Sequence, residues 1–222
     1  MNREVIITGD GSPTLFVPEL NEHYHSIHGA LNESMHVFIQ NGLIHQLTIH
    51  QHIHLLEIGL GTASNLLLTI NAMKNSPINV RYDALEPFPI QSEIVAQLTD
   101  LYAQQFSTSA TLFQSIHQQP ANIALQINPQ FTFTRIEAKL ENVSLESHYN
   151  LVYFDAFGPR AQPEMWDKSN FEKIFAAMEQ DGTLVTYCAK GEVRRNLQAV
   201  GFFVERLPGP PGKREMLRAT KK

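Results

Sequence analysis

The segment LLEIGLGTASN, residues 55–65, decides the fold. An apolar run contains Glu57, and Gly59 and Gly61 follow it before a stretch of small polar residues. The run predicts a short buried strand, and SNLLLTINAMK (64–74) predicts a helix directly after it. Glycines at such a turn let the backbone pass close to a ligand, and the helix directs its N-terminus towards that ligand. The pattern therefore predicts a ligand-binding strand–turn–helix unit.

Outward from this unit, strand and helix patterns alternate, which predicts an α/β fold with a parallel sheet covered on both faces. The predicted strands are 55–58, 80–87, 131–137, 149–157 and 183–188, with a final antiparallel pair at FFVERL and REMLRAT. The predicted helices are 29–41, 64–74, 89–106, 170–182 and 192–201. Ahead of them, EVII (4–7) and TLFV (14–17) flank TGDGSP and predict a small β-hairpin.

Composition excludes several classes of protein. Hydrophobic residues make up 43% and charged residues 18% of the chain, which argues against general disorder. No apolar run approaches the roughly 20 residues that span a bilayer. The start, MNREVIITGDG, has no apolar signal core, and Cys188 is the single cysteine, so we expect a cytoplasmic protein without disulfides or a membrane partner.

The charge is divided unevenly. The whole chain carries −5, but nine basic and three acidic residues lie between Ala189 and Lys222, so this segment carries +6 and the rest −11. Such polarity suits a basic face that meets a polyanion while the body repels it. A solvated tail on an acidic protein explains the charge equally well.

The turn selects against phosphates. A dinucleotide fingerprint requires a third glycine where Ser64 stands, and the G-x-x-x-x-G-K pattern of a P-loop is absent. Glu57 would repel a pyrophosphate and attract a cation. Glu86 follows Gly61 by 25 residues, where an acid commonly accepts ribose hydroxyls. S-adenosylmethionine, a nucleoside sulfonium, fits these demands; the alternative is a tight turn with incidental acids.

The fourth predicted strand adds a candidate catalytic group. YFDAFGPRAQPEMW places Asp155 at the strand end, where ligands bind in open α/β sheets. Its carboxylate could orient a reacting amine or take its proton. Phe157 could stack against a planar base, and the loop with Pro159 and Trp166 could close over the site. An aspartate that caps a loop, with Phe157 in the core, fits the position equally well.

Six longer segments of the sequence resemble one known protein family. They are GALNESMHVFI (29–39), LLEIGLGTASNLLLT (55–69), ALEPFP (84–89), YFDAFGPRAQPEMW (153–166), DGTLVTYCAKGEVRRNLQAVGF (181–202) and GPPGKREML (209–217). In these segments the chain resembles the methyltransferase domain of the MnmC-type tRNA wobble-uridine modification proteins and their stand-alone MnmD-like counterparts. The resemblance implies a class I, Rossmann-like S-adenosylmethionine-dependent methyltransferase with a seven-stranded sheet. We expect the hairpin extension at 1–22 and the methyltransferase domain at 23–222.

The resemblance also implies a reaction and a site. The reaction is N-methylation of the 5-aminomethyl group of (2-thio)uridine at the tRNA wobble position, without the flavin-dependent oxidase domain of the bifunctional relatives, so that no flavin is expected. Asp155 is the expected catalytic residue. The expected cofactor-binding residues are Glu57, Gly59, Gly61, Thr62, Asn65, Glu86 and Asp155. The expected substrate-binding residues are Glu33, Phe157, Pro159, Lys190, Arg194, Arg195, Lys213 and Arg214.

Some points stay open at this stage. In RIEAKLENV the sequence does not decide which of Glu137, Lys139 and Glu141 contacts the adenine. The dense histidines of HYHSIH (23–28) and HQHIH (50–54) lack a recognisable ligand spacing, and we expect no metal. We expect a monomer that binds the tRNA anticodon stem-loop. Two rival functions are a spermidine-synthase-like aminopropyltransferase and a non-catalytic RNA-binding methyltransferase fold.

Overall fold

The computed structural model describes residues 2–145 and 148–222, which form a mixed sheet of eight strands and a three-stranded antiparallel sheet at the N-terminus. The small sheet consists of β1 (Glu4–Ile7), β2 (Pro13–Val17) and β3 (Glu22–His23). The large sheet consists of β4 (His52–Ile58), β5 (Asn79–Leu85), β6 (Ala124–Asn128), β7 (Phe131–Ile136), β8 (Tyr149–Phe154), β9 (Met178–Thr186), β10 (Phe202–Pro208) and β11 (Glu215–Lys221).

Helices cover both faces of the large sheet. They are α1 (Ala30–Ser34), a π-helix (Met35–Ile44), α2 (His45–Leu47), α3 (Ser64–Met73), α4 (Ser92–Gln105), α5 (Ala110–Gln118), a 3₁₀ turn (Pro163–Trp166), α6 (Lys168–Ala177) and α7 (Gly191–Val200). The faces bury two apolar clusters, one of them around Leu55 and Tyr82 and the other around Val152 and Phe171. Throughout the described ranges, no helix is both long and apolar enough to cross a membrane.

The strand order explains where a ligand can bind. The order is β10-β11-β9-β8-β4-β5-β7-β6, and the five central strands from β9 to β7 are mutually parallel. The chain leaves β4 towards β5 on one side and later returns to β8 on the other, so the order reverses between β4 and β8. Ligands of open α/β sheets bind at such a switch point, beyond the carboxyl ends of the strands.

The predicted architecture is confirmed, with one strand more in the large sheet. The strand β6 pairs antiparallel with β7 at the edge and brings the count from seven to eight. The N-terminal hairpin is also confirmed, because β1 and β2 pair antiparallel, and β3 extends it to three strands. Leu15 and Val17 of β2 are fully buried, so this small sheet covers the main body of the protein.

Helix boundaries were the weaker part of the sequence prediction. The helix predicted over 170–182 is wrong in its second half, since α6 ends at Ala177 and Met178 pairs with Tyr149 in the sheet. Sheet pairing there overrides the helical pattern of the sequence. The helix predicted over 29–41 continues as far as Leu47, and its middle part is a π-helix. The sequence analysis missed α5, β6 and the 3₁₀ turn.

Candidate active site

The glycine turn after β4 has a backbone that side chains rarely adopt. Gly59 has a φ of 91° and Gly61 a φ of 52°, and Ala63 also lies in the left-handed region just before α3. A Cβ atom on Gly59 would lie 3.0 Å from the carbonyl oxygen of Asp155. One on Gly61 would lie 3.0 Å from the ring of Tyr24. Glycine therefore allows three chain segments to meet at one point.

A cavity opens at this meeting point, beyond the carboxyl ends of β4, β5, β7 and β8. The turns after these four strands supply most of its wall, and the N-terminal segment and the loop before α6 supply the rest. The polar or small lining residues include Arg3, His25, Gly59, Gly61, Glu86, Lys139, Glu141, Asp155, Gln162 and Glu164. The structure thus brings four of the predicted cofactor residues together around one space: Gly59, Gly61, Glu86 and Asp155.

Glu86 stands at the end of β5 with both carboxylate oxygens engaged. Oε2 accepts a hydrogen bond of 2.9 Å from the amide of Gly61, and Oε1 accepts one of 2.9 Å from the amide of Phe88. Its side chain is 9% exposed and lines the cavity. Each oxygen keeps a second lone pair, so the carboxylate can still accept a hydroxyl of a bound ribose.

Glu57, Thr62 and Asn65 are placed differently from the prediction. They are 0–2% exposed and lie behind the cavity wall, so they are not among the residues that line the space. The Oε1 atom of Glu57 accepts from Asn65 at 2.9 Å, and Oε2 accepts from the hydroxyl of Tyr82 at 2.8 Å. Burial raises the pKa of Glu57 well above its ordinary value. Glu57 thus stabilises the glycine turn from the core side through its hydrogen bond with Asn65.

Asp155 follows β8 directly and meets the turn. Its amide donates to the carbonyl of Ile58 at 3.1 Å, and its Oδ2 accepts a hydrogen bond of 2.8 Å from Asn65. Burial raises the pKa of Asp155 well above its ordinary value, and the negative charge of Glu33 raises it further. The hydrogen bond from Asn65 and the charge of Lys213 oppose this shift. A carboxylate that binds a proton readily is suited to take one from an ammonium group.

Aromatic rings form one wall of the cavity. Tyr24 packs edge-on against Phe157 with ring centroids 5.1 Å apart, and both rings line the cavity. The hydroxyl of Tyr24 accepts from Arg3 at 2.7 Å, and burial raises the pKa of Tyr24 to about 12. The loop behind this wall is held by Trp166, whose indole donates to the carbonyl of Phe157 at 2.8 Å. Pro159 is half-buried in that loop and is not a lining residue.

Arg3 and His25 are cavity residues that the sequence analysis missed. Arg3 is 6% exposed and donates to the carbonyls of Phe88 and Pro89 as well as to Tyr24. His25 accepts from or donates to the hydroxyl of Thr14 at 2.8 Å, and burial lowers the pKa of His25 to about 4. No local pattern marks either residue, because the packing of the small sheet alone brings them to the site.

Glu33 and Lys213 form an ion pair beside the site. Lys213, in the turn between β10 and β11, donates to Oε1 of Glu33 and lies 3.8 Å from the centre of the Tyr187 ring. Tyr187 in turn donates to the carbonyl of Ala156 at 2.8 Å, next to Asp155. Lys213, a predicted phosphate contact, is therefore paired with an acid of this chain, and its side chain is 32% exposed. Glu33 is buried beside the site rather than on a helix surface.

The turn after β7 narrows the open question of the adenine contact. Lys139 and Glu141 line the cavity and approach each other to 3.6 Å. Glu137 lies 3.9 Å from Arg135 and is not a lining residue. Of the three charged candidates, Lys139 and Glu141 are therefore the two that can reach a base bound in the cavity.

The remaining predicted substrate residues share one property. Lys190, Arg194, Arg195 and Arg214 have no acidic partner within residues 2–145 and 148–222. The other basic side chains of the C-terminal segment are engaged: Arg206 with Glu215, Lys213 with Glu33, Arg218 with Glu205, Lys221 with two carbonyls, and Lys222 with Asp181. Helix α7 starts beyond the carboxyl end of β9, so three of the four unpaired cations lie on the edge of the sheet that carries Asp155.

The histidines of HQHIH (50–54) lie beside two different carboxylates. His50 and His52 lie 3.9 and 3.7 Å from the same carboxylate oxygen of Glu179, whereas His54 contacts Asp83 at 3.4 Å. As far as the structure describes the chain, no three His, Cys, Asp or Glu side chains are arranged to hold a metal ion.

Residues 93–222 match the sequence model of a family described as S-adenosyl-L-methionine-dependent methyltransferase. The chain belongs to this family. The match covers more than half of the chain and includes Asp155, α7 and the final strand pair.

Curated relatives of this methyltransferase align with nearly its whole length. The tRNA 5-methylaminomethyl-2-thiouridine biosynthesis bifunctional protein MnmC of Cupriavidus metallidurans is 28% identical over 229 residues, which cover 96% of this chain and 33% of the relative. The protein of the same name from Aromatoleum aromaticum is 29% identical, covering 95% of this chain and 34% of the relative. The methyltransferase thus spans about a third of the length of these relatives.

Solved structures agree on the fold. The crystal structure of MNMC2 from Aquifex aeolicus superposes with a TM-score of 0.79 at 24% identity and covers the whole methyltransferase and 71% of the other chain. Spermidine synthase from Thermotoga maritima superposes with a TM-score of 0.57 at 11% identity, over 99% of the methyltransferase and 70% of the other chain. At these identities the likeness establishes the fold alone.

Proposed function

We propose that the protein transfers a methyl group from S-adenosylmethionine to the 5-aminomethyl group of (2-thio)uridine at the wobble position of tRNA. The product is 5-methylaminomethyl-(2-thio)uridine. The observation that carries the proposal is the shared edge of the sheet, where the cavity, Asp155 and the unpaired cations Lys190, Arg194 and Arg195 come together. The names of the MnmC relatives, which align over 96% and 95% of the chain, support the choice of substrate.

The cavity suits the cofactor of the family. Glu86 at the end of β5 can accept ribose hydroxyls, and Gly59 and Gly61 leave room where side chains would collide with Asp155 or Tyr24. The acidic lining residues Asp155 and Glu86 favour a cation over a phosphate. When bound, S-adenosylmethionine supplies an electrophilic methyl group on a positively charged sulfur.

The residues of the chain prepare the acceptor. A protonated amine has no free electron pair, so its proton must leave before nitrogen can attack the methyl group. We assign Asp155 as the group that receives this proton and fixes the direction of the nitrogen lone pair, because its carboxylate lines the cavity and burial raises its pKa above the ordinary value. Holding both reactants in one geometry supplies the larger part of the rate enhancement.

The unpaired cations provide a surface for the polynucleotide. Proteins read bases of single-stranded RNA loops by stacking and edge contacts while basic side chains hold the phosphates. Lys190, Arg194, Arg195 and Arg214 are free to make such contacts, and Phe157 is positioned to stack with a base that enters towards Asp155. The anticodon stem-loop of tRNA presents a base of this kind.

The decisive experiment is incubation with methyl-labelled S-adenosylmethionine and tRNA from cells that lack this enzyme, followed by nucleoside analysis. Label in 5-methylaminomethyl-2-thiouridine is the expected result. No label in tRNA despite intact cofactor binding would contradict the proposal and favour a small amine acceptor, as in an aminopropyltransferase, for which decarboxylated S-adenosylmethionine and polyamines are the test substrates. Loss of cofactor binding altogether would favour the non-catalytic RNA-binding alternative.

Replacement of Asp155 tests its role within this reaction. We expect Asp155→Ala to lower kcat by about 10²- to 10⁴-fold, the usual contribution of a positioned proton acceptor, and to weaken cofactor binding by a smaller factor. Asp100→Ala removes an exposed aspartate of α4 and serves as the matched control. Full turnover in Asp155→Ala would show that the proton leaves by another route.

A further inference from the structure

One nitrogen atom joins the two buried carboxylates of the site. The Nδ2 atom of Asn65 donates to Oε1 of Glu57 at 2.9 Å and to Oδ2 of Asp155 at 2.8 Å. An amide nitrogen carries two hydrogens, so each carboxylate receives one of them. The orientation of the amide is fixed by its neighbours, because the opposite orientation would turn an oxygen towards both carboxylates. Asn65 itself is 2% exposed and does not line the cavity.

Glu57, the contact of Asn65 that lies farther from the cavity, is fixed in the core. Glu57 is fully buried, and its second oxygen accepts from Tyr82, which is also fully buried. In either protonation state of Glu57, Oε1 can accept from Asn65, because a proton on the carboxyl group can reside on Oε2 and face the hydroxyl oxygen of Tyr82. The contact from Glu57 therefore orients the amide of Asn65 throughout the neutral pH range.

The near end leaves one oxygen of Asp155 for the substrate. Oδ2 is occupied by Asn65, while Oδ1 has no protein partner in the part of the chain that the structure describes and is not enclosed. We infer that Asn65 is a positioning residue, which holds Oδ2 of Asp155 so that Oδ1 faces the acceptor amine, and that Glu57 acts through Asn65 rather than by binding the cofactor. The inference rests on the proposed methyl transfer to an amine.

The spacing in E-x-G-x-G-x-x-x-N (57–65) places the side chain of Asn65 next to that of Glu57. Glu57 is the second-last residue of β4 and Asn65 lies in the first turn of α3, so the glycine turn between them brings the amide of Asn65 back to the carboxylate of Glu57. Asp155 arrives from the neighbouring strand β8, whose pairing with β4 fixes its height relative to Glu57. Two strands and one helix thus determine where Oδ1 points.

The first experiment removes the amide. We expect Asn65→Leu to lower kcat by about 10- to 100-fold with less than a threefold change in cofactor Kd, because the residue orients Asp155 and does not touch the cofactor. The pKa that governs kcat should move upward, since the hydrogen bond that favours the charged carboxylate is lost. Asn150→Leu is the matched control. Asn150 is fully buried and bridges β4 and β8 near their amino ends, away from the cavity, so its replacement tests for loss of stability alone.

The second experiment tests whether Glu57 acts through Asn65. Glu57→Leu should reduce kcat about as much as Asn65→Leu, and the double variant should be no worse than either single variant. Glu57→Gln keeps an oxygen that can accept from Asn65, and it should recover most of the turnover that Glu57→Leu loses. Additive losses, or a cofactor Kd raised more than tenfold by Glu57→Gln at unchanged kcat, would overturn the inference in favour of direct cofactor binding.

A measurement on the unaltered protein covers the case in which the leucine variants do not fold. With ¹⁵N-asparagine labelling, the side-chain amide signal of Asn65, identified by its loss in Asn65→Ser, should shift with the titration of Asp155. This pH-dependent shift of the Asn65 signal should be absent in Asp155→Asn. An Asn65 signal that is insensitive to this titration would refute the contact. Because no RNA is present, this result stands even when the labelled-tRNA experiment fails, and so the two proposals can fail separately.

Discussion

Single residues at the glycine turn carry constraints that the backbone geometry makes explicit. Gly59 combines a φ of 91° with a close neighbour, the carbonyl oxygen of Asp155. Gly11 has a similar φ of 83° in the N-terminal hairpin, but no atom lies within 4 Å of its potential Cβ position. A substitution at Gly11 therefore introduces backbone strain alone, whereas the same substitution at Gly59 adds a steric contact with Asp155.

We therefore expect different results from the same substitution at these two glycines. Gly11→Ala should cost about 1–2 kcal/mol of unfolding free energy, the strain of a left-handed backbone, and leave activity unchanged. Gly59→Ala should cost more, about 2–4 kcal/mol with the contact included, and should lower kcat at least tenfold in the folded protein because Asp155 is pushed away. Urea denaturation and steady-state kinetics measure the two effects. Equal activity in both variants would disprove displacement of Asp155.

Glu57 gives the stability of the protein a pH dependence of known sign. Burial raises its pKa in the folded protein well above 4.5, so the folded state binds a proton more tightly than the unfolded state. This contribution to stability is complete below pH 4.5 and is lost as the pH rises towards the raised value. Glu57→Gln should therefore become increasingly stable relative to the parent protein as pH increases.

Denaturation at a series of pH values from 5 to 9 measures this difference. Glu93→Gln serves as the control, because it removes the same charge from the exposed surface of α4. A difference in unfolding free energy that stays constant with pH in Glu57→Gln would contradict the assignment.

At the scale of elements, the small N-terminal sheet and the residues that flank it complete the cavity. Arg3, which precedes β1, reaches the loop after β5, and its guanidinium donates hydrogen bonds to the carbonyls of Phe88 and Pro89 and to the side chain of Gln91. On its other side, Glu22 of β3 pairs with Arg160, which is largely exposed. These are two of the contacts that attach the sheet, one buried and one on the surface.

These two attachments should differ in their effect on the cavity. We expect Arg3→Ala to weaken cofactor binding about tenfold and to lower the unfolding free energy by about 2–4 kcal/mol, since it removes several charge-assisted hydrogen bonds. Arg160→Ala should cost less than about 1 kcal/mol, as is usual for an exposed ion pair. Calorimetric titration with the cofactor measures the first effect. Equal cofactor affinity in both variants would exclude a role of Arg3 in the cavity.

At the scale of the whole molecule, charge is separated between two regions. The C-terminal segment carries an excess of positive charge on an acidic chain, and the ion pairs of the fold neutralise part of it. What is left is concentrated at Lys190, Arg194, Arg195 and Arg214. A long-range field of this kind directs a polyanion to one face of the protein.

Charge reversal tests this face. Arg194→Glu and Arg195→Glu should each weaken tRNA binding at least tenfold near 0.1 M salt, and each should reduce the slope of log K against log salt concentration by about one. Lys74→Glu is the control, since Lys74 is exposed at the far end of α3, on the opposite edge of the sheet. Unchanged affinity in both arginine variants, or an equal loss in Lys74→Glu, would contradict a specific basic surface.

The sequence by itself determined the fold class and predicted which strand ends meet at the candidate site. Alternating strand and helix patterns are local, and the carboxyl ends of parallel strands necessarily share one edge, so Gly59, Glu86 and Asp155 could be placed together in advance. The helix predicted over 170–182 failed at Met178 because strand pairing with a distant segment, which no local pattern records, outweighed helical periodicity there.

Only the tertiary structure decided which chemically similar residues reach the cavity. Glu57 and Glu86 both lie within one residue of the end of a central strand, yet Glu57 is enclosed in the core and Glu86 lines the cavity. Lys213 and Arg214 are neighbours, yet Lys213 pairs with Glu33, whereas Arg214 has no acidic partner among the residues that the structure describes. The direction of a side chain, and the partner that neutralises its charge, depend on segments far apart in the chain. The packing of Arg3 and His25 against the site has the same origin, and a linear pattern carries no trace of it.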